Sequence, residues 1–158
     1  MKTILITGAT SGIGLAAAKK LANEKNQLIL CGRRQRKLDE ISEELSKSAN
    51  VLSLCFDVSN KNEVNKLLSN LPKEFYSIDI LINNAGNAHG LDTIQDGSFD
   101  DWDNMIDSNV KGLLYVSRII MPKMIEQKSG HIINIGSLAG REVYEKGNIY
   151  CATKHAVN

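Results

Sequence analysis

Thr7-Gly8-Ala9-Thr10-Ser11-Gly12-Ile13-Gly14 is the stretch on which the fold turns. A short apolar run, Thr3 to Thr7, leads into it, and an amphipathic pattern from Ile13 to Glu24 leads out. The glycines therefore stand where a strand passes into a helix. Glycine there permits a tight turn and lets backbone N–H groups approach a pyrophosphate at the helix N-terminus, where the dipole favours an anion. The spacing is G-x-x-x-G-x-G, not the general G-x-G-x-x-G. Alone, such a turn fits any tight strand–helix connection; with a strand before it and a helix after it, the expectation is dinucleotide binding.

The same alternation continues outward. Apolar runs recur at Gln27 to Cys31, Val51 to Phe56, Ile78 to Ile82 and His131 to Ile135, each β-branched or Leu-rich and bounded by Gly, Asn, Asp or Ser. Runs apolar on both faces read as buried parallel strands. Helical patterns lie between them at Lys37 to Ser48, Asn60 to Leu71 and Phe99 to Gln127. The last opens on Ser98, Asp100 and Asp101, which suit a helix N-terminus. Its stripe runs through Trp102, Met105, Ile106, Leu113, Val116, Ile120 and Met124, and Pro122 is expected to bend or end it. Five βα units in series predict an α/β fold, a doubly wound parallel sheet, with residues 1–158 as a single domain.

Composition narrows the function. The chain has 158 residues, enough for one domain with a real core, and a formal charge of +1. That balance leaves no electrostatic surplus for nucleic acid or a membrane surface. No apolar run approaches the roughly 18 residues of a membrane span, and the start is too short of apolar residues for a secretory leader. Three cysteines, Cys31, Cys55 and Cys151, without C-x-x-C spacing read as reduced thiols of a cytoplasmic protein. His89, His131 and His155 share no metal-ligand spacing, so no metal is expected.

The second strand ends Cys31-Gly32-Arg33-Arg34. An NAD site usually has a carboxylate there for the ribose 2′-hydroxyl, and none occurs before Asp39. Two arginines instead offer planar, permanently charged donors for a 2′-phosphate, which favours NADP over NAD; solvated arginines capping the strand are the alternative.

With Thr7-Gly8-x-x-x-Gly12-Ile13-Gly14, Asn83-Asn84-Ala85-Gly86, Asn109, Ser137 and Tyr150-x-x-x-Lys154 in order, the chain resembles the classical short-chain dehydrogenases/reductases from residue 3 to its last residue. Within that family, Asp101-Trp102-Asp103, Met105-Ile106-Asp107 and Gly130 to Ser137 look most like the NADP-dependent 3-hydroxy acid (serine-type) dehydrogenases. The resemblance implies that Gly8, Thr10, Ser11, Gly12, Ile13 and Gly14 line the phosphates and that Arg33 and Arg34 face the 2′-phosphate. Asp57 and Val58 would meet the adenine, while Asn83, Ala85 and Gly86 would flank its ribose and help hold the central strand. It also implies a homo-oligomer, and that family members continue beyond this point with two more strands and a substrate lid, so the sheet is expected to be incomplete at its C-terminal edge.

Hydride transfer to a carbonyl needs a group that protonates the oxygen, and the reverse reaction needs a base. Tyr150 is the candidate. A free tyrosine titrates near 10, so neutrality asks for ~3 units, or ~4 kcal/mol, of preferential stabilisation of the anion. Lys154 stands four residues on, on the same helix face, with an ammonium able to supply it. Ser137, past the fifth run, can hydrogen-bond the substrate oxygen and hold it for transfer. Asn109 interrupts an apolar stripe; alone it reads as a locally satisfied amide, and the resemblance gives it a water linked to Lys154. Catalytic roles thus fall to Asn109, Ser137, Tyr150 and Lys154, with Tyr150 and Lys154 also at the cofactor. The loop Gly140 to Gly147 is charged, pointing weakly to a polar or acidic small molecule. The expected activity is NADP-dependent hydride transfer between the nicotinamide and a small hydroxy acid or alcohol/carbonyl, with Tyr150 as acid/base. A 3-oxoacyl thioester or other carbonyl reductase, and a nucleotide-binding fragment without turnover, stand beside it.

Overall fold

The computed structural model describes all 158 residues. Each apolar run becomes a strand: β1 (Lys2–Thr7), β2 (Asn26–Gly32), β3 (Asn50–Cys55), β4 (Ile80–Asn83) and β5 (His131–Asn134). They form one parallel sheet in the order β3-β2-β1-β4-β5. The chain winds outward from β1 to β3, then returns to β1's other side for β4. The switch between β1 and β4 opens a crevice beyond the carboxyl ends of the strands.

Both faces of the sheet are buried, as continuous apolar runs require. On β1, Ile4 and Ile6 face α1 (Gly12–Leu21) and α2 (Gln35–Leu45), packing with Ala18, Leu38 and Ile41. Leu5 points the other way, toward Val64 and Leu68 of α3 (Lys61–Ser69) and Val116 and Ile120 of α5 (Leu113–Glu126). Each such side chain stabilises the fold by about 1.5–3 kcal/mol.

The helix ends differ from the periodicity by a few residues, and side-chain caps explain where. α1 stops at Leu21 because the amides of Asn23 and Asn26 both donate to the Leu21 carbonyl, at 3.1 and 2.8 Å. α3 starts at Lys61 because the Asn60 side chain accepts from the N–H groups of Asn62 and Glu63.

The long pattern from Phe99 to Gln127 is three pieces: α4 (Phe99–Ile106), a π-helical segment (Asp107–Gly112) and α5. Pro122, expected to bend or end it, does not end it: α5 continues to Glu126. Pro122 lies on the solvent side, where the carbonyl it leaves unpaired meets water, while Ile120 and Met124 stay buried on either side of it. The irregularity falls instead at Asn109, inside the π segment. Beyond β5, a 3₁₀ turn (Leu138–Gly140) leads to α6 (Asn148–Val157), and β5 itself is an outer strand with Ile132 and Ile133 only half-buried.

Candidate active site at the sheet switch

A cleft of about 700 Å³ opens beyond the carboxyl ends of the paired strands β1 and β4, lined by the segments that follow them. One wall is the glycine turn. Gly8 and Gly12 have positive φ, +66° and +54°, which glycine adopts without strain. Ser11 is the N-cap of α1, yet its side chain caps nothing and no acid lies in the first turn. The first N–H groups of α1 are therefore left for an anion. Gly8, Thr10, Ser11, Gly12 and Ile13 all line the cleft.

Gly14 does not. A Cβ there would stand 2.5 Å from the Gly8 carbonyl oxygen, so this glycine lets the helix pack on the turn. The turn is tied to β4 by Asn84, whose amide donates to the carbonyls of Thr7 and Gly8 at 2.9 and 3.1 Å. The Thr7 hydroxyl in turn accepts from the N–H groups of Asn84 and Ala85, both at 3.0 Å.

The two arginines are held differently. Arg33 Nη1 sits 3.2 Å from an Asp57 carboxylate oxygen, an exposed pair. Burial alone would raise the Asp57 carboxyl, but hydrogen bonds from the Ser59 N–H and hydroxyl, together with Arg33, hold it below the usual range. Arg34 touches no carboxylate. Its Nη2 donates to the hydroxyls of Thr10 (2.7 Å) and Ser11 (2.9 Å), with Nε also 3.2 Å from Thr10. Its charge is thus unneutralised and aimed along the rim of the phosphate turn. Asp57, Val58, Ala85 and Gly86 line the same cleft. Asn83 is displaced from it: its amide is buried behind the strand, donating to Ser117 and Asn134 at 3.0 and 2.9 Å, so it braces β4 against α5 and β5.

At the far end stand Tyr150 and Lys154. Lys154 is 7% exposed and its Nζ donates to the Ile135 carbonyl at 2.9 Å. The ammonium lies 5.9 Å from the Tyr150 ring centre, and no acid pairs with it. Burial pushes its pKa down, the mark of a cation kept in the site without a counter-ion. Ser137 is half-buried beside the cleft residue Gly136. Its Oγ accepts from the Ala139 N–H at 3.2 Å, which leaves the hydroxyl proton free to donate.

The Asn109 side chain is a tie between elements. Its amide donates to the Asn87 carbonyl (2.8 Å) and the Thr153 hydroxyl (3.0 Å), and its oxygen accepts from the Asn87 N–H (2.8 Å) and Ser108 (3.0 Å). Both amide protons of the side chain are thus taken by protein, while the Ser108 hydroxyl divides its single proton between the Asn109 oxygen and the Asn104 carbonyl at 2.7 Å. Thr153 passes the tie on to the Tyr150 carbonyl at 2.8 Å. Asn109 therefore locks the start of α6, between Tyr150 and Lys154, to the cleft wall. Asn84, Asn87 and Ser108 are site residues that periodicity did not single out. Asn84 lay within the quoted Asn83-Asn84-Ala85-Gly86 motif; Asn87 and Ser108 carried no signal.

No group of three or more His, Cys, Asp or Glu side chains is placed to hold a metal, and no helix is long and apolar enough to cross a membrane. The three cysteines are free, and burial raises the Cys31 thiol.

The family model for short chain dehydrogenases matches residues 2–158. The chain is 44% identical over 151 residues to the NADP-dependent 3-hydroxy acid dehydrogenase YdfG of Escherichia coli (strain K12), across 96% of this chain and 60% of that protein. It is 45% identical over 159 residues to the NADP-dependent 3-hydroxy acid dehydrogenase of Schizosaccharomyces pombe, across 99% and 61%. Among solved structures, the closed form of serine dehydrogenase complexed with NADP+ matches with a TM-score of 0.94 at 43% identity, over 98% of this chain and 62% of that one. NAD+-bound xylitol dehydrogenase matches at 0.93 and 30% identity, over 99% and 60%. The chain spans about three fifths of the length of the curated relatives it matches.

Proposed function

The chain belongs to the short-chain dehydrogenase family, and from that premise we propose that its protein is an NADP-dependent oxidoreductase acting on a small hydroxy acid or a related alcohol. One observation carries the reading: a single cleft joins the acid-free guanidinium of Arg34 and the uncapped start of α1 to Tyr150 and Lys154. The residues fit the nucleotide. Gly8 and Gly12 keep the turn clear of side chains, the α1 N–H groups suit the pyrophosphate, and Arg34 with Thr10 and Ser11 suits a 2′-phosphate. When bound, NADP supplies the hydride acceptor or donor.

The chain's own residues manage the proton and the orientation. In oxidation the Tyr150 phenolate takes the substrate's hydroxyl proton; in reduction the phenol returns it to the carbonyl oxygen. Lys154 favours the phenolate, because its ammonium is desolvated and unpaired by any acid. Ser137 donates to the substrate oxygen, fixing it against Tyr150. Exposed Arg141 and Lys146 on the loop before α6 offer cations for a substrate carboxylate. A cytoplasmic setting fits the three free thiols. Leu114, Met121 and Ile125, exposed along α5, fit association of the whole protein into a homo-oligomer.

The test begins with intact mass and a fluorescence titration of one sample with NADPH and NADH, followed by rates on 3-hydroxy acids and on 3-oxoacyl thioesters. NADPH is expected to bind far more tightly, and free hydroxy acids to be oxidised. Tyr150→Phe is expected to remove turnover by about 10³-fold or more while nucleotide binding persists. Preference for NADH, or turnover that survives Tyr150→Phe, overturns the reading. Faster turnover of thioesters replaces the hydroxy acid by an acyl substrate.

A further inference from the structure

Tyr150 and Lys154 of α6 and Asn158, its C-cap, are spaced four residues apart, so they follow one another along a single side of the helix. That row meets the segment following β5. Lys154 holds its start, through the Ile135 carbonyl at 2.9 Å. Asn158 holds its end, donating Nδ2 to the Gly140 carbonyl at 2.8 Å. Between the two anchors lies Ser137. Its own bonds are local to the 3₁₀ turn: Oγ accepts from Ala139, and its carbonyl accepts from the Gly140 N–H at 3.0 Å.

The glycines that bracket this turn are the two places where the Asn158 side chain needs room. A Cβ on Gly136 would stand 2.8 Å from Asn158 Oδ1. One on Gly140 would stand 2.5 Å from Asn158 Nδ2 and 2.6 Å from the Lys154 carbonyl oxygen. At Gly140 the Lys154 carbonyl is backbone and cannot give way, so glycine there sets the close approach of α6 to the turn, while at Gly136 a Cβ would displace the Asn158 side chain.

We propose that Asn158 is a positioning residue that sets the Ser137 hydroxyl against Tyr150, on the hydride-transfer reading of the site. Both ends of the Ser137 turn are then referred to the same helix that carries the acid/base. Removing the amide frees the turn to move by the fraction of an ångström to which hydride transfer is sensitive.

The experiment compares Asn158→Ala and Asn158→Asp, each alone and with Ser137→Ala, following kcat, NADPH binding and amide exchange at Ala139 and Gly140. Asn158→Ala is expected to lower kcat about 10-fold or more, a loss of the size misplacement causes. NADPH binding stays within about twofold and the two amides exchange faster, since only the turn is loosened. Asn158→Asp keeps the shape but loses the donor, and is expected to fall likewise. In a Ser137→Ala background, Asn158→Ala costs less than about twofold, since the group it positions is gone. A full loss in that background, a wild-type rate for Asn158→Asp, or unchanged amide exchange each overturns the proposal. A wild-type protein that transfers no hydride refutes the function itself, and the amide exchange still decides whether Asn158 holds the turn.

Discussion

Arg34→Leu is the substitution that bears most directly on the choice of nucleotide. Arg33 and Arg34 are adjacent, exposed and equally charged, yet only Arg33 has a carboxylate, Asp57, at 3.2 Å. Arg34 rests on two neutral hydroxyls, Thr10 and Ser11. A phosphate must share Arg33 with Asp57 but meets Arg34 uncompensated. A charge-assisted hydrogen bond contributes about 1.5–3 kcal/mol, and an exposed group belongs near the low end, so ~2 kcal/mol is a fair expectation. At 1.4 kcal/mol per decade this is a loss of roughly 30-fold in NADPH affinity. NADH, lacking the phosphate, should change by less than about twofold. Titration of both nucleotides by fluorescence at low and raised salt reads this out, and the NADPH difference should shrink as salt rises. Arg33→Leu should cost less, because Asp57 already engages that charge. Equal losses for both nucleotides, or none for either, would show that Arg34 braces the turn and recognises nothing.

Two further substitutions probe the other end of the cleft. Asn109→Ala removes the partners of Asn87 and Thr153; at ~1 kcal/mol for each of three lost bonds, stability should fall by about 3 kcal/mol and the melting temperature by about 6–12 °C. Circular dichroism on heating checks this, and a loss below ~1 kcal/mol would mean the amide is not the tie it looks to be. Lys154→Met should abolish turnover without lowering the melting temperature. A lysine whose folded pKa is depressed below its unfolded value weakens the fold wherever it must carry charge. That cost is complete below the folded pKa and vanishes as pH rises past the unfolded value of about 10.4. The variant's stability should therefore equal or exceed wild type at pH 7, with any advantage shrinking toward pH 11. A marked loss at pH 7 would show that the bond to Ile135 outweighs desolvation.

The sheet was readable because its strands are buried on both faces. Five continuous apolar runs separated by helical periodicity admit few arrangements, and the glycine turn says which end of the sheet binds the ligand. What misled was Pro122. Proline in a helical pattern normally signals a stop, but the rule concerns a helix whose neighbours do not hold it. Here Ile120 and Met124 are buried one on each side, and the unpaired carbonyl faces solvent. The π segment had no such signal, since one extra residue in a turn leaves the composition unchanged.

In the site, motif residues that touch open space were legible and residues that work by touching other protein were not. Gly14, Asn83 and Asn109 belong to the motifs, and each helps to hold elements together. The side chains of Asn84 and Asn158 act the same way across 77 and 18 residues of chain, and Asn87 offers its backbone N–H and carbonyl to Asn109. Periodicity reports which face of an element is apolar; it says nothing of which carbonyl a side-chain amide will find after folding. The physical division of labour follows from tolerance. An apolar core keeps most of its energy when two elements slide by a few tenths of an ångström, whereas a hydrogen bond holds only between about 2.7 and 3.2 Å. The apolar runs therefore decide that β1, β4, β5 and α6 assemble. The side-chain amides decide how closely, and the proposed hydride transfer depends on how closely. Replacing the core's aliphatic residues with others of similar volume should thus spare turnover more than removing one of these amides, even where the stability lost is the same.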